Sequence, residues 1–162
     1  MLNIKIICVG KIKERALSDL ICEYCKRLSK YCRLEIVEVE DEKISASPTL
    51  AEEEIIRSKE SKKIIDKLNK IGKTHVILLD LHGKQYSSEE FSCKLQDISI
   101  YEGSNITFII GGSLGFSKEL RDMFDDKISF SKMTFPHQLF RVFLLEQIFR
   151  AFKIQFNETY HH

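Results

Sequence analysis

The sequence carries almost no net charge: 25 Lys and Arg stand against 24 Asp and Glu, leaving +1 over 162 residues. That excludes a chain that holds nucleic acid by bulk electrostatics and leaves only a local patch for such a partner. No apolar run reaches the length of a membrane span. The opening MLNIKIICVG enters a strand at once, with no small-residue cleavage site behind it, so neither a membrane protein nor a signal peptide is expected. Cysteine is short of pairs: there are five. Cys22 and Cys25 form a C-x-x-C inside a helical pattern, whereas redox pairs sit at a strand-to-helix turn, and no second pair completes a zinc site. Cys8 and Cys93 read as small buried hydrophobes, Cys32 is uninformative, and the whole set suits a reducing cytoplasm. Repeats, low-complexity segments and linkers are missing, as are H-E-x-x-H, a Ser/His/Asp order and a Gly-Lys-Ser/Thr phosphate loop. One domain over residues 1–162 with no metal site is therefore expected.

What is present alternates strand with helix. Leu2 to Val9 is an apolar run stopped by Gly10, expected as a strand at or near the sheet centre. Apolar residues recur at helical spacing from Lys13 to Lys30, and Leu34 to Val39 alternates apolar with acidic as a strand near an edge does. Thr49 is placed to cap a helix over about Leu50 to Ile71, with Glu52 as its capping-box partner. The glutamate-rich start and lysine-rich end of that helix match its dipole, and its charges read as a solvated face. His75 to Leu81 is a third strand and Ile106 to Ile110 a fourth. Between them Ser87-Ser88-Glu89-Glu90 opens a helix running to about Tyr101. Ser117 caps a short helix, Lys127 to Phe130 is a fifth strand, and Pro136 suits the first turn of a last helix. The pattern predicts an α/β domain, a mainly parallel sheet with helices on both faces.

In such sheets ligands bind beyond the carboxyl ends of the strands. Three ends carry loop chemistry here: Leu79-Asp80-Leu81-His82-Gly83, Ile110-Gly111-Gly112, and Phe130 to Phe135. The glycines suit a tight turn as well as a ligand loop, and the residues alone leave both open. His137 is a candidate base, although a lone histidine at a helix start is more often a packing or capping residue. Arg141 and Arg150 flank Glu146 on the last helix, where salt bridging along the helix competes with phosphate contact. That helix is apolar on too many sides for an ordinary surface helix. This predicts a homodimer packed through it, with Phe140, Phe143 and Phe149 in the interface. Lys11, Lys13 and Arg15 form a basic cluster that either touches RNA or is simply solvated.

Ile128-Ser-Phe-Ser-Lys-Met-Thr-Phe-Pro-His-Gln138, followed by Arg141-Val-x-Leu-x-Glu-Gln-x-x-Arg-Ala151, resembles the RlmH family. These are SPOUT-class methyltransferases of N3 of a pseudouridine in 23S ribosomal RNA. The likeness spans the chain, through Val9-Gly10-Lys11 with Lys13-Glu14, Leu79-Asp80-Leu81-x-Gly83-Lys84, Ile110-Gly111-Gly112-Ser113-x-Gly115 and Tyr160-His161. Each piece is weak and the combination specific. It marks Tyr160 and His161 as native, while His162 stands where the family usually has Lys or Arg. The resemblance implies a C-terminal trefoil knot, which topology rules would otherwise reject. It also implies a homodimer through the C-terminal helix and action on 23S rRNA within the assembled ribosome, for which bulk charge is not needed. S-adenosylmethionine is implied at Leu79, Gly111, Phe130, Ser131, Lys132, Met133, Thr134 and Phe135. For the transfer, the candidates are His137, Arg141, Tyr160 and His161, with the tail closing the partner's site, His161 as the base and Arg141 as an orienting or phosphate-binding group. The competing readings are a SPOUT methyltransferase with another target, such as tRNA, and a ribosome-associated module without turnover.

Overall fold

The computed structural model describes residues 1–162. Five strands form one sheet in the order β2-β1-β4-β3-β5, and every neighbouring pair is parallel. They are β1 (Leu2–Val9), β2 (Cys32–Val39), β3 (His75–Gln85), β4 (Asn105–Ile110) and β5 (Lys127–Ser129). The helices are α1 (Arg15–Leu28), α2 (Leu50–Ile71), α3 (Ser88–Tyr101), α4 (Lys118–Met123) and α5 (His137–Gln155). β1 and β4 are nearly continuous runs of buried apolar residues because both of their faces are covered. The core therefore splits in two. α1, α3 and α5 pack on one face around Phe108, Ile106 and Ile4, while α2 and α4 cover the other around Ile7, Ile109 and Leu78. No helix is long and apolar enough to cross a membrane.

Local signals set the helix starts. The Thr49 hydroxyl accepts from Glu52 N–H at 3.2 Å and the Glu52 carboxylate from Thr49 N–H at 2.9 Å. Ser87 and Glu90 make the same reciprocal pair for α3, and Ser117 caps α4. Each cap is worth about 1 kcal/mol.

Four expectations need correction. β3 does not end at Leu81 but continues to Gln85, shifting register between Leu79 and Lys84 as it follows β5. Leu79 to Gly83 reads as a strand-end loop, yet Gly83 lies so close to β5 that a Cβ there would stand 2.6 Å from the Ile128 carbonyl carbon. Glycine permits the approach and hence the extra pairing. Cys93 is exposed rather than buried, whereas Cys8 and Cys32 are both buried. The face of α2 is not uniformly solvated, since Glu60 and Ser61 are buried. Finally, most of the apolar surface of α5 is used within the chain. Phe149 is buried between Tyr24, Tyr31 and Tyr160 and is no interface residue, while Phe140 is half-buried and Phe143 exposed. The packing of α5 between α1 and α3 explains its apolarity on several sides, at about 1.5–3 kcal/mol for each large side chain removed from water.

Candidate active site

The Leu79 to His82 stretch of β3 and the loops that leave β4 and β5 stand side by side around a cleft of about 820 Å³. Small-molecule sites run from roughly 300 to 1,000 Å³. Leu79, Gly111, Phe130, Ser131, Thr134, Phe135 and His137 all line it. Lys132 and Met133 lie on the same loop but are exposed and do not line the cleft. Asp80 turns back to accept the His82 N–H at 2.9 Å, and Arg57 and Arg121 bring positive charge to the wall. Those two arginines had no sequence signal, because each sits in a helix whose charges look solvent-facing.

Helix α2 holds the glycine loop from below. The Ser61 hydroxyl accepts from Ser117 N–H at 2.9 Å. The Glu60 carboxyl lies against Gly112, where a Cβ would stand 2.8 Å from Oε1. Burial pushes the Glu60 carboxyl up from the usual carboxylate range, against the pull of the Glu42 N–H bonded to it. Gly112 O accepts from Gly115 N–H at 3.0 Å, closing the loop into a tight bend. The loop is thus a tight turn that also lines the cleft.

The four candidate catalytic residues fall into two groups. His137 lines the cleft, and burial, aided by the nearby Arg141 charge, lowers its pKa and favours the neutral imidazole. Arg141 is buried with its guanidinium turned toward the ends of β1 and β2. Nη1 donates to Glu38 Oε2 at 2.8 Å, and Nη2 donates to Gly10 O at 2.5 Å and to Val9 O at 3.3 Å. The expected phosphate contact is thus corrected: the guanidinium already serves two strand ends and is shut off from solvent.

Tyr160 and His161 lie beyond the far end of α5. The Tyr160 hydroxyl donates to Glu146 Oε1 at 3.2 Å, its ring meets Phe149 edge-on at 5.0 Å, and the Arg150 guanidinium lies 4.8 Å from the ring centre. Burial, helped by hydrogen bonding to Tyr24 and Glu146, pushes the Tyr160 phenol up to about 12, so it keeps its proton near neutrality. His161 Nε2 faces Glu89 Oε1 at 2.6 Å and Nδ1 faces Arg150 Nη1 at 3.2 Å. Since the guanidinium only donates, Nδ1 accepts and the ring hydrogen on Nε2 points at Glu89. The Glu89 carboxylate is held below its usual range by that bond. No group of three or more His, Cys, Asp or Glu is placed to hold a metal ion.

A family model described as "Predicted SPOUT methyltransferase" matches residues 2–161. The chain is 49% identical over 160 residues to the ribosomal RNA large subunit methyltransferase H of Clostridium acetobutylicum, with 99% of both chains covered. To the proteins of that name from Clostridium perfringens and Latilactobacillus sakei the identities are 52% and 51%, at the same coverage.

Proposed function

The chain belongs to the SPOUT methyltransferase family, and on that premise we propose that it methylates N3 of a pseudouridine in 23S rRNA of the assembled ribosome. The observation that carries this reading is the meeting of the Leu79 to His82 stretch of β3 with the loops after β4 and β5 around one cleft of small-molecule size. Six of the eight residues the resemblance implies for S-adenosylmethionine line it: Leu79, Gly111, Phe130, Ser131, Thr134 and Phe135. The fit is supported by the Gly111-Gly112 bend, whose missing side chains let Phe116 and Glu60 close up behind it, and by the apolar walls of Phe130 and Phe135. When bound, S-adenosylmethionine supplies an electrophilic methyl group. Lys132 and Met133 contribute their backbone to the loop and not their side chains.

The protein's own task is to align the base and help N3 lose its proton. Tyr160, protonated at neutral pH, acts as a hydrogen-bond donor. His161 is the base, able to take a proton on Nδ1 once Arg150 releases that nitrogen. His137 stays neutral at the cleft mouth and serves as a polar wall. Arg141 orients α5 on the strand ends. The enzyme acts as a homodimer in the cytoplasm, and the exposed edge of α5 supports this. There Phe135, Phe140 and Phe143 form a T-shaped cluster with centroids 5.6–6.2 Å apart that is only partly covered. The C-terminal knot follows from the family and suits a short β5 paired with β3 inside the loop cluster.

Transfer of labelled methyl from S-adenosylmethionine to intact ribosomes, isolated 23S rRNA and bulk tRNA tests the reading. Label on the large-subunit RNA of intact ribosomes is expected. Label on tRNA alone, or none despite cofactor binding, would replace it with another target or with a module that does not turn over.

A further inference from the structure

Besides two histidines, four ionisable side chains line the cleft: Glu54 and Arg57 from α2, Asp80 from β3 and Arg121 from α4. They are not equally engaged. The Arg57 guanidinium is taken up by its own helix, with Nε donating to Glu54 Oε2 at 3.1 Å and Nη1 standing 3.7 Å from Glu53 Oε2. Asp80 uses one oxygen, since Oδ1 accepts the His82 N–H and Oδ2 accepts from nothing in the chain. Arg121 is half-buried and its guanidinium has no partner at all, because its neighbour Asp122 pairs with Lys118. A guanidinium in that position has given up part of its water, and nothing in the chain offsets the cost. The cavity between α1, α3 and α5 offers no such opening. Its polar side chains, Ser88, Gln147 and Glu146, are already bonded to one another and to Arg150.

The charges around Arg121 narrow the class of ligand. Two bases and two acids sum to zero, so this wall repels a polyanion as much as it attracts one, and it complements a zwitterion. Three of the four come from α2 and α4, on the face of the sheet opposite α5. The cleft therefore has a charged side and, toward Phe130 and Phe140, an apolar one. S-adenosylmethionine divides in the same way, into a flat, uncharged adenosyl end and a methionine end carrying an α-carboxylate and an α-ammonium. Resting on the cofactor use proposed above, we infer that Arg121 binds the α-carboxylate of S-adenosylmethionine. Its planar fork matches a carboxylate with two parallel hydrogen bonds. Glu54 and Asp80 remain as the negative complement to the α-ammonium.

Calorimetry with two ligands tests this: S-adenosylhomocysteine, which keeps the amino-acid end, and 5′-methylthioadenosine, which lacks it. Arg121→Ala is expected to weaken S-adenosylhomocysteine by roughly 10–100-fold, the range of hydrogen bonding between charged groups. It leaves the affinity for 5′-methylthioadenosine native, and the urea midpoint too, since Arg121 holds nothing in the chain. Arg121→Lys keeps the charge, loses the fork and falls between. Equal losses for the two ligands would make Arg121 a support of the loops and overturn the inference. An unchanged affinity for S-adenosylhomocysteine overturns it as well, and a KM for ribosomes that rises at the same time assigns the guanidinium to an RNA phosphate. Both results leave methyl transfer standing where the native chain labels ribosomes. A native chain that binds neither ligand and transfers no methyl removes the proposed function and this inference together.

Discussion

Arg141 and Arg150 lie on the same helix and have the same charge, yet their surroundings separate a structural role from a functional one. Arg141 is enclosed, with Glu38 and two strand-end carbonyls around it. Arg150 is partly open to solvent and bonds one carboxylate on its own helix and one histidine of the tail. The first fixes where α5 sits on the sheet. The second holds the C-terminal tail beside a cavity. Charge on a helix predicts neither; burial and the number of fixed partners decide.

The largest effect expected from breaking this contrast comes from Arg141→Ala. It strands two strand-end carbonyls under α5, while the partly exposed Glu38 turns to water, which together costs about 2–4 kcal/mol. A drop in urea midpoint with unchanged slope checks it, and Arg141→Lys, lacking the fork, recovers only part. If Arg141→Ala unfolded like the native chain and merely bound RNA less well, the phosphate reading would return. Next comes Gly112→Ala. The new methyl meets Glu60 and the Val9 side chain, at 2.8 and 3.3 Å, so the loop shifts at a cost of about 1–3 kcal/mol. S-adenosylhomocysteine affinity falls by about tenfold or more, and adding Glu60→Ala restores part of it. Arg150→Ala ranks third in stability, below about 1 kcal/mol because the pair it breaks is partly exposed, yet it reduces methyl transfer on ribosomes more than any change in melting would explain. Equal effects of Arg141→Ala and Arg150→Ala on stability would erase the contrast.

The smallest effect concerns His137. Its folded pKa lies below the ordinary value of 6.5, so the unfolded chain binds the proton first as pH falls. Stability that is complete above about pH 6.5 is then lost as pH falls through the folded pKa. His137→Gln should flatten that part of the stability–pH curve, as measured by urea midpoints between pH 7 and 5. An unchanged slope would show that the histidine is not held neutral.

Much of the fold was legible because its determinants are local. Thr49 with Glu52 and Ser87 with Glu90 announce helix starts within four residues, and the apolar run of β4 announces a strand covered on both faces. The cleft was legible for a similar reason, since parallel sheets bring ligands toward their carboxyl ends, where the loops after β4 and β5 lie beside Leu79 to His82 of β3. What stayed hidden depends on pairs far apart in sequence. Nothing near Arg141 announces Glu38, nothing near Gly83 announces the approach of Ile128, and Glu60 looks like one more surface charge until Gly112 is placed beside it. The order β2-β1-β4-β3-β5 is likewise a property of crossings, not of any segment. Phe149 shows the converse error: an apolar helix has two ways to hide its faces, and composition does not choose between a neighbouring helix and a second chain.

Nuclease digestion and mass spectrometry of 23S rRNA, from ribosomes incubated with S-adenosylmethionine and either the native chain or none, address the activity most directly. The structure and family predict one added methyl, on the base of a single pseudouridine, present only with the enzyme. Identical digests from the two samples, or a methyl on a ribose or on a base other than pseudouridine, would contradict it.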